Sequence, residues 1–264
     1  MFPIPRSNKK IIELIGVVIY TAIIAYFTIT FKLNYLISTG LYFLVPSIYI
    51  TFRRPSLFKS TAKFALLTGL PFVLLTDSLA LFNNAWWETS VFPRRIFNLI
   101  PFETVIWAVV YVYLIVSLYN YFFTEQNLQI KILPRFNKFV IILFTVLFVE
   151  IFILYTNSKL LTIPYFYLWF VLIFFCTPTI IGLLKSAKRF CKLWLQCLPF
   201  SMMLFIIELS ALATHQWGFL GSQYLGMVHI GDLSFPIEEL SWILFGVPAF
   251  IYVYQYFTSK EVSN

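Results

Sequence analysis

Charged residues are scarce in this chain of 264 residues, and their scarcity excludes a water-soluble fold. Asp, Glu, Lys and Arg together make up 11% of the sequence, whereas about 25% is usual for a soluble domain. Hydrophobic residues make up 60%, and Phe alone occurs 31 times. A soluble fold of this length could not bury so much apolar surface. The composition therefore predicts a polytopic membrane protein.

Patterns that would bind metals or dinucleotides are also missing. Cys176, Cys191 and Cys197 lie in or beside apolar stretches without metal-ligand spacing, which indicates neither a disulfide framework nor a zinc site. Two histidines are too few for a histidine-rich di-iron oxygenase, and the nine glycines contain no Gly-x-Gly pair. We therefore expect no metal and no cofactor.

Long apolar runs divide the chain into eight predicted membrane spans, because a helix needs about 20 apolar residues to cross the hydrocarbon core. The first run has this length and no small-residue cleavage site, so we expect it to be retained and not removed as a signal peptide. The fold class predicted is an all-α membrane helix bundle. The predicted spans are 11–31, 34–52, 61–82, 97–123, 138–156, 161–184, 192–213 and 235–257.

Basic residues are distributed unequally between the two sides of this arrangement. Of the 19 Lys and Arg residues, 15 fall on the side of the N-terminus, Arg6 among them. The positive-inside rule then predicts that both termini are cytoplasmic and that the protein lies in the cell membrane. The net charge of +8 is explained by topology and by attraction to anionic lipids, so it does not indicate a nucleic-acid partner. The four basic residues on the other side are Lys32, Arg94, Arg95 and Lys159.

Four short segments recur in the same order along the chain, and the offset between matched segments grows gradually, as small insertions would produce. This pattern predicts two tandem four-helix repeats, 1–130 and 131–264, related by a pseudo-two-fold axis along the membrane normal. We expect the functional site between them. The matched segments are 58–64 with 184–190, 70–72 with 198–200, 77–86 with 208–217, and 101–103 with 236–238.

Acidic residues inside the predicted spans are the candidate functional groups. A carboxylate in lipid costs ~3 kcal/mol or more, and such residues usually face the bundle interior and carry function. The alternative is that they pair with basic residues or with His215 and only stabilise the bundle. Glu150 has no repeat partner, so we expect a structural role for it. The acids that converge on one depth, in the outer part of the bilayer, are Asp77, Glu103, Glu208, Glu238 and Glu239.

The Pro-x-Glu element that opens the fourth and eighth spans can adjust the protonation of its acids. A helix N-terminus favours an ionised carboxylate, whereas burial favours the neutral form. Repulsion between the adjacent Glu238 and Glu239 would then leave one acid protonated while the other is ionised. The alternative for two adjacent acids is a solvated helix start.

Tryptophans and amides occupy the loops between these elements. They form either an interfacial aromatic belt or the wall of a pocket for an electron-poor or cationic species. The repeat favours the second role for Trp86 and Trp217. The candidate binding residues are Asn84, Trp86, Trp87, His215 and Trp217.

These motifs resemble the lycopene cyclase domain, which occurs in two-subunit bacterial enzymes and in fused archaeal and fungal versions. In the first half the resemblance is carried by residues 77–80 and 84–86 and the Pro-x-Glu element. In the second half it is carried by 235–240, Phe-Pro-Ile-Glu-Glu-Leu. It covers most of the chain as two tandem domains, like the fused form. Two departures, Thr104 in place of a second Glu and Glu208 in place of the usual Asp, leave open whether the first half is catalytic.

The resemblance implies an integral membrane isomerase that closes the ends of lycopene into rings without net redox change. A carboxylic acid would protonate a terminal double bond, and a carboxylate would accept the ring proton. We expect Glu238 to be the donor, since Glu103 matches it, with Glu239 and Asp77 holding or accepting the proton. The expected partners are a carotenoid and membrane lipids, and a homo-oligomer is left open.

Two other functions fit the sequence. A carotenoid hydratase would form the same cation and let water capture it. A proton-coupled transporter or lipid-binding scaffold would also suit parallel repeats with buried acids. A prenyltransferase is disfavoured because its Asp-rich magnesium motifs are absent, Asp77 and Asp232 being the only aspartates.

Overall fold

A computed structural model describes residues 8–125 and 128–262, and the chain in these ranges is mostly helical. Arg6 and the chain ends at 1–7 and 263–264, used above for orientation, lie outside the described residues. Seven helical stretches in the described ranges are long and apolar enough to cross a membrane. They are Asn8–Phe31, Tyr35–Arg53, Pro55–Phe82, Phe102–Phe123, Arg135–Leu161, Phe166–Ala213 and Ile237–Phe257.

Nine α-helices and eight short strands make up the regular structure of the described residues. The helices are α1 Asn8–Phe31, α2 Tyr35–Thr39, α3 Val45–Arg53, α4 Phe58–Phe82, α5 Phe102–Phe123, α6 Arg135–Asn157, α7 Phe166–Val171, α8 Thr177–Ala213 and α9 Ile237–Phe257. The strands are β1 Trp87–Glu88, β2 Arg95–Ile96, β3 Ile100–Pro101, β4 Leu128–Ile132, β5 Trp217–Gly218, β6 Met227–Ile230, β7 Leu233–Pro236 and β8 Thr258–Val262.

The stretch Phe166–Ala213 explains why seven stretches are found where the sequence predicts eight spans. Its 48 residues would measure roughly 72 Å as a straight helix, more than twice the ~30 Å hydrocarbon core. The stretch is not straight, because Ser186 has non-helical backbone angles (φ −168°, ψ 92°). It therefore contains the sixth and seventh predicted spans, joined end to end.

Two of the stretches contain an irregular turn after their first short helix. A π-turn, Gly40–Leu44, lies between α2 and α3, and another, Leu172–Cys176, lies between α7 and α8. In each case a proline, Pro46 or Pro178, follows in the first turn of the next helix. Proline has no backbone N–H to donate to the preceding turn, so the helical hydrogen bonds there take the wider π-helical spacing.

Short antiparallel ladders close both ends of the bundle. At one end β1 pairs with β5, and the hairpins β2–β3 and β6–β7 lead into α5 and α9. At the other end β4 pairs with β8. The fourth predicted span, 97–123, is shorter in the structure because Phe97 and Asn98 take positive φ in the β2–β3 turn.

The helix packing leaves a buried centre and an apolar outer surface. Helix α4 packs on α5, α8 on α9, α1 on α8, and α6 on α4. Only Phe136, Leu147 and Glu150 are buried on α6, and its other faces expose large apolar side chains. An outer surface of this kind is consistent with an integral membrane protein.

Candidate active site

The central cavity lies between α4, α5, α8 and α9 and encloses about 100 Å³. Eleven of its lining residues are aromatic, so its walls are large apolar rings. Four acids also line it: Asp77, Glu88, Glu208 and Glu239. A concave, mostly apolar site with a few convergent polar groups is the usual form of a small-molecule site.

Glu208 and Glu239 form a carboxyl pair on one side of the cavity. Both residues are at most 5% exposed, and their carboxyl groups are in hydrogen-bonding contact. The Trp217 indole N–H donates to Oε1 of Glu208 at 2.9 Å, and the Tyr167 hydroxyl donates to Oε2 of Glu239. Two carboxyl groups can share a hydrogen bond only if one carries a proton. The pair is thus arranged so that a proton shared by its two carboxyl groups would lie at the cavity wall.

Asp77 and Glu88 are the other two acids of the cavity wall. The Thr104 hydroxyl donates to Oε2 of Glu88 at 2.5 Å, and the Tyr35 hydroxyl is in hydrogen-bonding contact with Thr104. The Arg95 guanidinium donates to the backbone carbonyl of Glu88 at 2.7 Å. Burial raises the pKa of Glu88 from 4.5 to about 7, although the Thr104 hydrogen bond and the charge of Arg95 act in the opposite direction.

Glu103 and Glu238 are not among the residues that line the cavity. Oε1 of Glu103 accepts hydrogen bonds from the backbone N–H groups of Val91 and, at 2.7 Å, Phe92. Oε1 of Glu238 accepts one from Leu225 N at 2.7 Å. These two acids therefore contact the backbone of loops, and the expectation that Glu238 is the donor stays a prediction.

Only part of the predicted set of binding residues reaches the cavity. Trp86 and Trp217 line it. Trp87 does not; its indole lies against Gly218, where a Cβ would come within 2.8 Å of Nε1. Asn84 (φ 54°) and His215 (φ 53°) are exposed and take the left-handed position that ends α4 and α8. Their role is to end these helices, which leaves the tryptophans as the binding candidates.

Glu150 has the structural position expected for it. Its side chain is 5% exposed and accepts a hydrogen bond from Ser78, which joins α6 to α4. Among the described residues no group of three or more His, Cys, Asp or Glu side chains could hold a metal ion.

Sequence reasoning missed Tyr35, Tyr167, Glu88 and Thr104 as parts of the site. The two tyrosines were detectable, because their separation along the chain is close to the offset between the recurring segments. Glu88 gave no such signal, since Phe219 stands at the corresponding position. Its place in the site follows from the short β1 strand alone.

Comparison of the chain with protein-family models, with curated proteins and with solved structures found no match. The site is therefore defined by its own geometry. Its parts are a carboxyl pair in hydrogen-bonding contact, two further acids and aromatic walls, within a bundle of apolar helices.

Proposed function

We propose that this protein is a membrane enzyme that closes the end of a linear carotenoid, lycopene, into a ring through a carbocation and without net redox change. The observation that carries the proposal is the Glu208–Glu239 pair, which is placed to hold a proton against an aromatic cavity among membrane-spanning helices. The resemblance to the lycopene cyclase domain supports the same reaction.

The pair acts as the proton donor. Glu239 gives its proton to the terminal double bond of the polyene, and the positive charge develops on the more substituted carbon. The neighbouring double bond attacks this carbon, and the ring closes. Loss of a ring proton restores neutrality, so the product has the mass of the substrate. General acid–base groups contribute about 10²–10⁴-fold each to such steps.

The aromatic walls stabilise the cation between protonation and deprotonation. Trp86 packs edge-on against Tyr167 with ring centroids 5.2 Å apart, and Trp217 packs against Tyr35 at 5.6 Å. Rings held in this way present fixed electron-rich surfaces to a cation. They also exclude water, which would otherwise capture the cation and give a hydrated product.

Eight membrane crossings in two tandem repeats are part of the proposal. The backbone breaks at Ser186 and also at Arg54, which has non-helical angles (φ −147°, ψ 73°) and ends α3. Each break follows a π-helical segment, Gly40–Leu44 before Arg54 and Leu172–Cys176 before Ser186. This shared order supports a division of Phe166–Ala213 into two crossings at Ser186.

Contacts between the halves support the pseudo-two-fold axis. Tyr35 of the first repeat contacts Trp217 of the second, and Tyr167 of the second contacts Trp86 of the first. In the β1–β5 ladder Trp87 pairs with Gly218. Trp87 and Gly218 are as far apart along the chain as Trp86 and Trp217. Trp87 in the first repeat therefore corresponds to Gly218 in the second, and the ladder pairs the two equivalent residues. A two-fold axis through the ladder would produce this pairing.

Cysteine labelling tests the crossings and the cytoplasmic termini. In a background without the three native cysteines, Thr89→Cys and Ser222→Cys are expected to react with an impermeant reagent from outside, and Ser186→Cys only after the cells are opened. Protection of Ser186→Cys under both conditions would show that Phe166–Ala213 crosses once. Cytoplasmic labelling at the first two positions would overturn the topology.

Expression in a lycopene-accumulating bacterium tests the reaction. Chromatography and mass spectrometry of the pigments should give cyclic products of unchanged mass. A Glu208→Gln/Glu239→Gln double variant at matched membrane level should leave lycopene intact. A mass gain of one water per converted end would make the protein a hydratase. Unchanged lycopene together with proton-dependent solute uptake in vesicles would favour a transporter.

A further inference from the structure

We propose that Glu88 is the base that accepts the ring proton in the final step; this inference rests on the proposed function. The structure brings its carboxylate to the cavity wall from strand β1, outside the spans that carry the other acids.

The position of Glu88 brings it beside the proton donor. In the β1–β5 ladder Glu88 is the backbone partner of Trp217. The indole of that same tryptophan donates to Glu208. Trp217 therefore contacts the carboxyl pair through its side chain and Glu88 through its backbone. A ring that forms against Trp217 would lie near both the donor pair and Glu88.

A comparison of the two halves shows why the carboxylate comes from a strand. In the second half, Glu239 follows the loop-anchoring Glu238 and meets the Tyr167 hydroxyl. In the first half Thr104 follows the loop-anchoring Glu103, and the Tyr35 hydroxyl meets it in the same way. The helix thus lacks an acid at this position. Glu88 fills the space and accepts the Thr104 hydroxyl at 2.5 Å.

Two groups beside Glu88 favour its ionised form, and burial opposes them. The Thr104 hydroxyl gives its hydrogen to Oε2, and the Arg95 guanidinium lies near enough to attract the carboxylate. Burial outweighs both and raises the pKa of Glu88 to about 7, so at neutral pH this acid can accept a proton and release it again. A carboxyl pair and an acid able to take up a proton therefore line one cavity, as acid–base catalysis requires.

The proton balance of the reaction closes with this assignment. Glu239 loses one proton to the terminal double bond, and the ring closes on the resulting cation. A C–H bond next to the cationic carbon then breaks, its electron pair forms the ring double bond, and Glu88 receives the proton. Glu88 is partly exposed, so it can return this proton to water. Reprotonation of the donor pair completes the cycle without any oxidant or reductant.

Glu88→Gln in the lycopene-accumulating bacterium tests the assignment. We expect at least a tenfold loss of cyclisation, since a general base contributes about 10²–10⁴-fold. The residual product should change as well, because the cation then loses a proton from another neighbouring carbon or is captured by water. The ring double-bond position, found by NMR of the pigments, reports this change. Loss of the donor would not move the double bond.

A relocation variant separates the base from a merely structural role. Glu88→Gln combined with Thr104→Glu returns a carboxylate to the helix position used in the second half, and should recover rate and product ratio. Asp232→Asn, in the exposed β6–β7 turn, is the matched control and should leave both unchanged. Asp77→Asn tests the remaining acid of the cavity wall and should keep the double-bond position.

Each result bears on a different claim. If the wild-type chain cyclises lycopene and Glu88→Gln matches it in rate and product ratio, the base assignment is overturned and the proposed function stands. If the wild-type chain leaves lycopene unchanged, both fall. If Glu88→Gln fails to accumulate in membranes, the relocation variant decides alone: activity with the normal product ratio supports the assignment, and a folded but inactive protein contradicts it.

Discussion

Glutamine substitutions at Glu238 and Glu239 should have very different consequences, although the two residues are adjacent. Glu239 lines the cavity and contacts Glu208 and Tyr167, whereas Glu238 accepts a hydrogen bond from the Leu225 backbone. A glutamine at 239 preserves size and can still accept the tyrosine hydroxyl, but it has no acidic proton to transfer. We expect Glu239→Gln to lower the cyclisation rate by about 10²–10⁴-fold, or roughly 2.7–5.4 kcal/mol of activation free energy.

Glu238→Gln should act on stability and leave the chemistry intact. The amide oxygen can still accept the hydrogen bond that Leu225 N donates to Oε1 of Glu238 at 2.7 Å. A hydrogen bond of this kind contributes about 0.5–1.5 kcal/mol, so a substitution that keeps it should lower the unfolding free energy by at most ~1 kcal/mol. Activity per folded molecule should stay within a few-fold of wild type.

The assay measures pigment products per amount of membrane protein, together with thermal unfolding of the purified variants in detergent. Glu208 could still supply a proton in the single variant, so the Glu208→Gln/Glu239→Gln double variant sets the floor of activity. A Glu238→Gln protein that is stable but inactive, beside a Glu239→Gln protein that cyclises normally, would refute the geometric argument and restore the assignment made from sequence.

Three further predictions follow from the same cavity. Tyr167→Phe should slow cyclisation by about tenfold, because the hydroxyl positions the donor through a buried hydrogen bond worth ~1 kcal/mol or more. Tyr35→Phe should have a smaller effect. Equal effects of the two variants in pigment assays would contradict this difference between the tyrosines. Trp217→Ala should impair activity more than Trp86→Ala at equal protein level, since only Trp217 donates to an acid; equal mild losses would assign both rings to general packing. The pKa of Glu88 is about 7 in the folded protein and 4.5 in an ordinary glutamate, so between these two pH values the folded chain binds more protons than the unfolded chain. The contribution of Glu88 to stability is therefore complete below pH 4.5 and is lost as the pH rises to 7. Glu88→Gln should make the melting temperature depend less on pH in this window, and an unchanged slope would argue against a buried carboxyl.

The sequence predicted the membrane helices and half of the site for physical reasons that can be named. Long apolar runs are costly in water and acids are costly within the membrane, so both can be recognised in the sequence. Asp77, Glu208 and Glu239 could be singled out in this way. The rotation of α9 could not, because it depends on how the chain leaves the β6–β7 hairpin at Pro236, the residue before the helix. The sequence therefore could not tell which of two adjacent glutamates lines the cavity.

Sequence spacing also could not predict which connections are continuous. The run Lys185–Lys188 is polar enough to suggest a loop, yet the chain stays helical on both sides of Ser186 and bends only there. Glu88 was equally hidden, since an acid in an amide-rich loop usually points to water. Two backbone hydrogen-bonded residues in β1 turn it inward, and this kind of long-range pairing has no local signature.

The two small ladders at the ends of the bundle restrict how the described part of the chain can move. β1 pairs with β5 at one end, and β4 pairs with β8 through five residues at the other. A transporter that alternates between two open states must open first at one end and then at the other. Pulling the strands apart at either end would break a backbone ladder. On the proposed function, we therefore expect a carotenoid end to reach the cavity sideways, between helices and from the lipid, while both ladders stay paired.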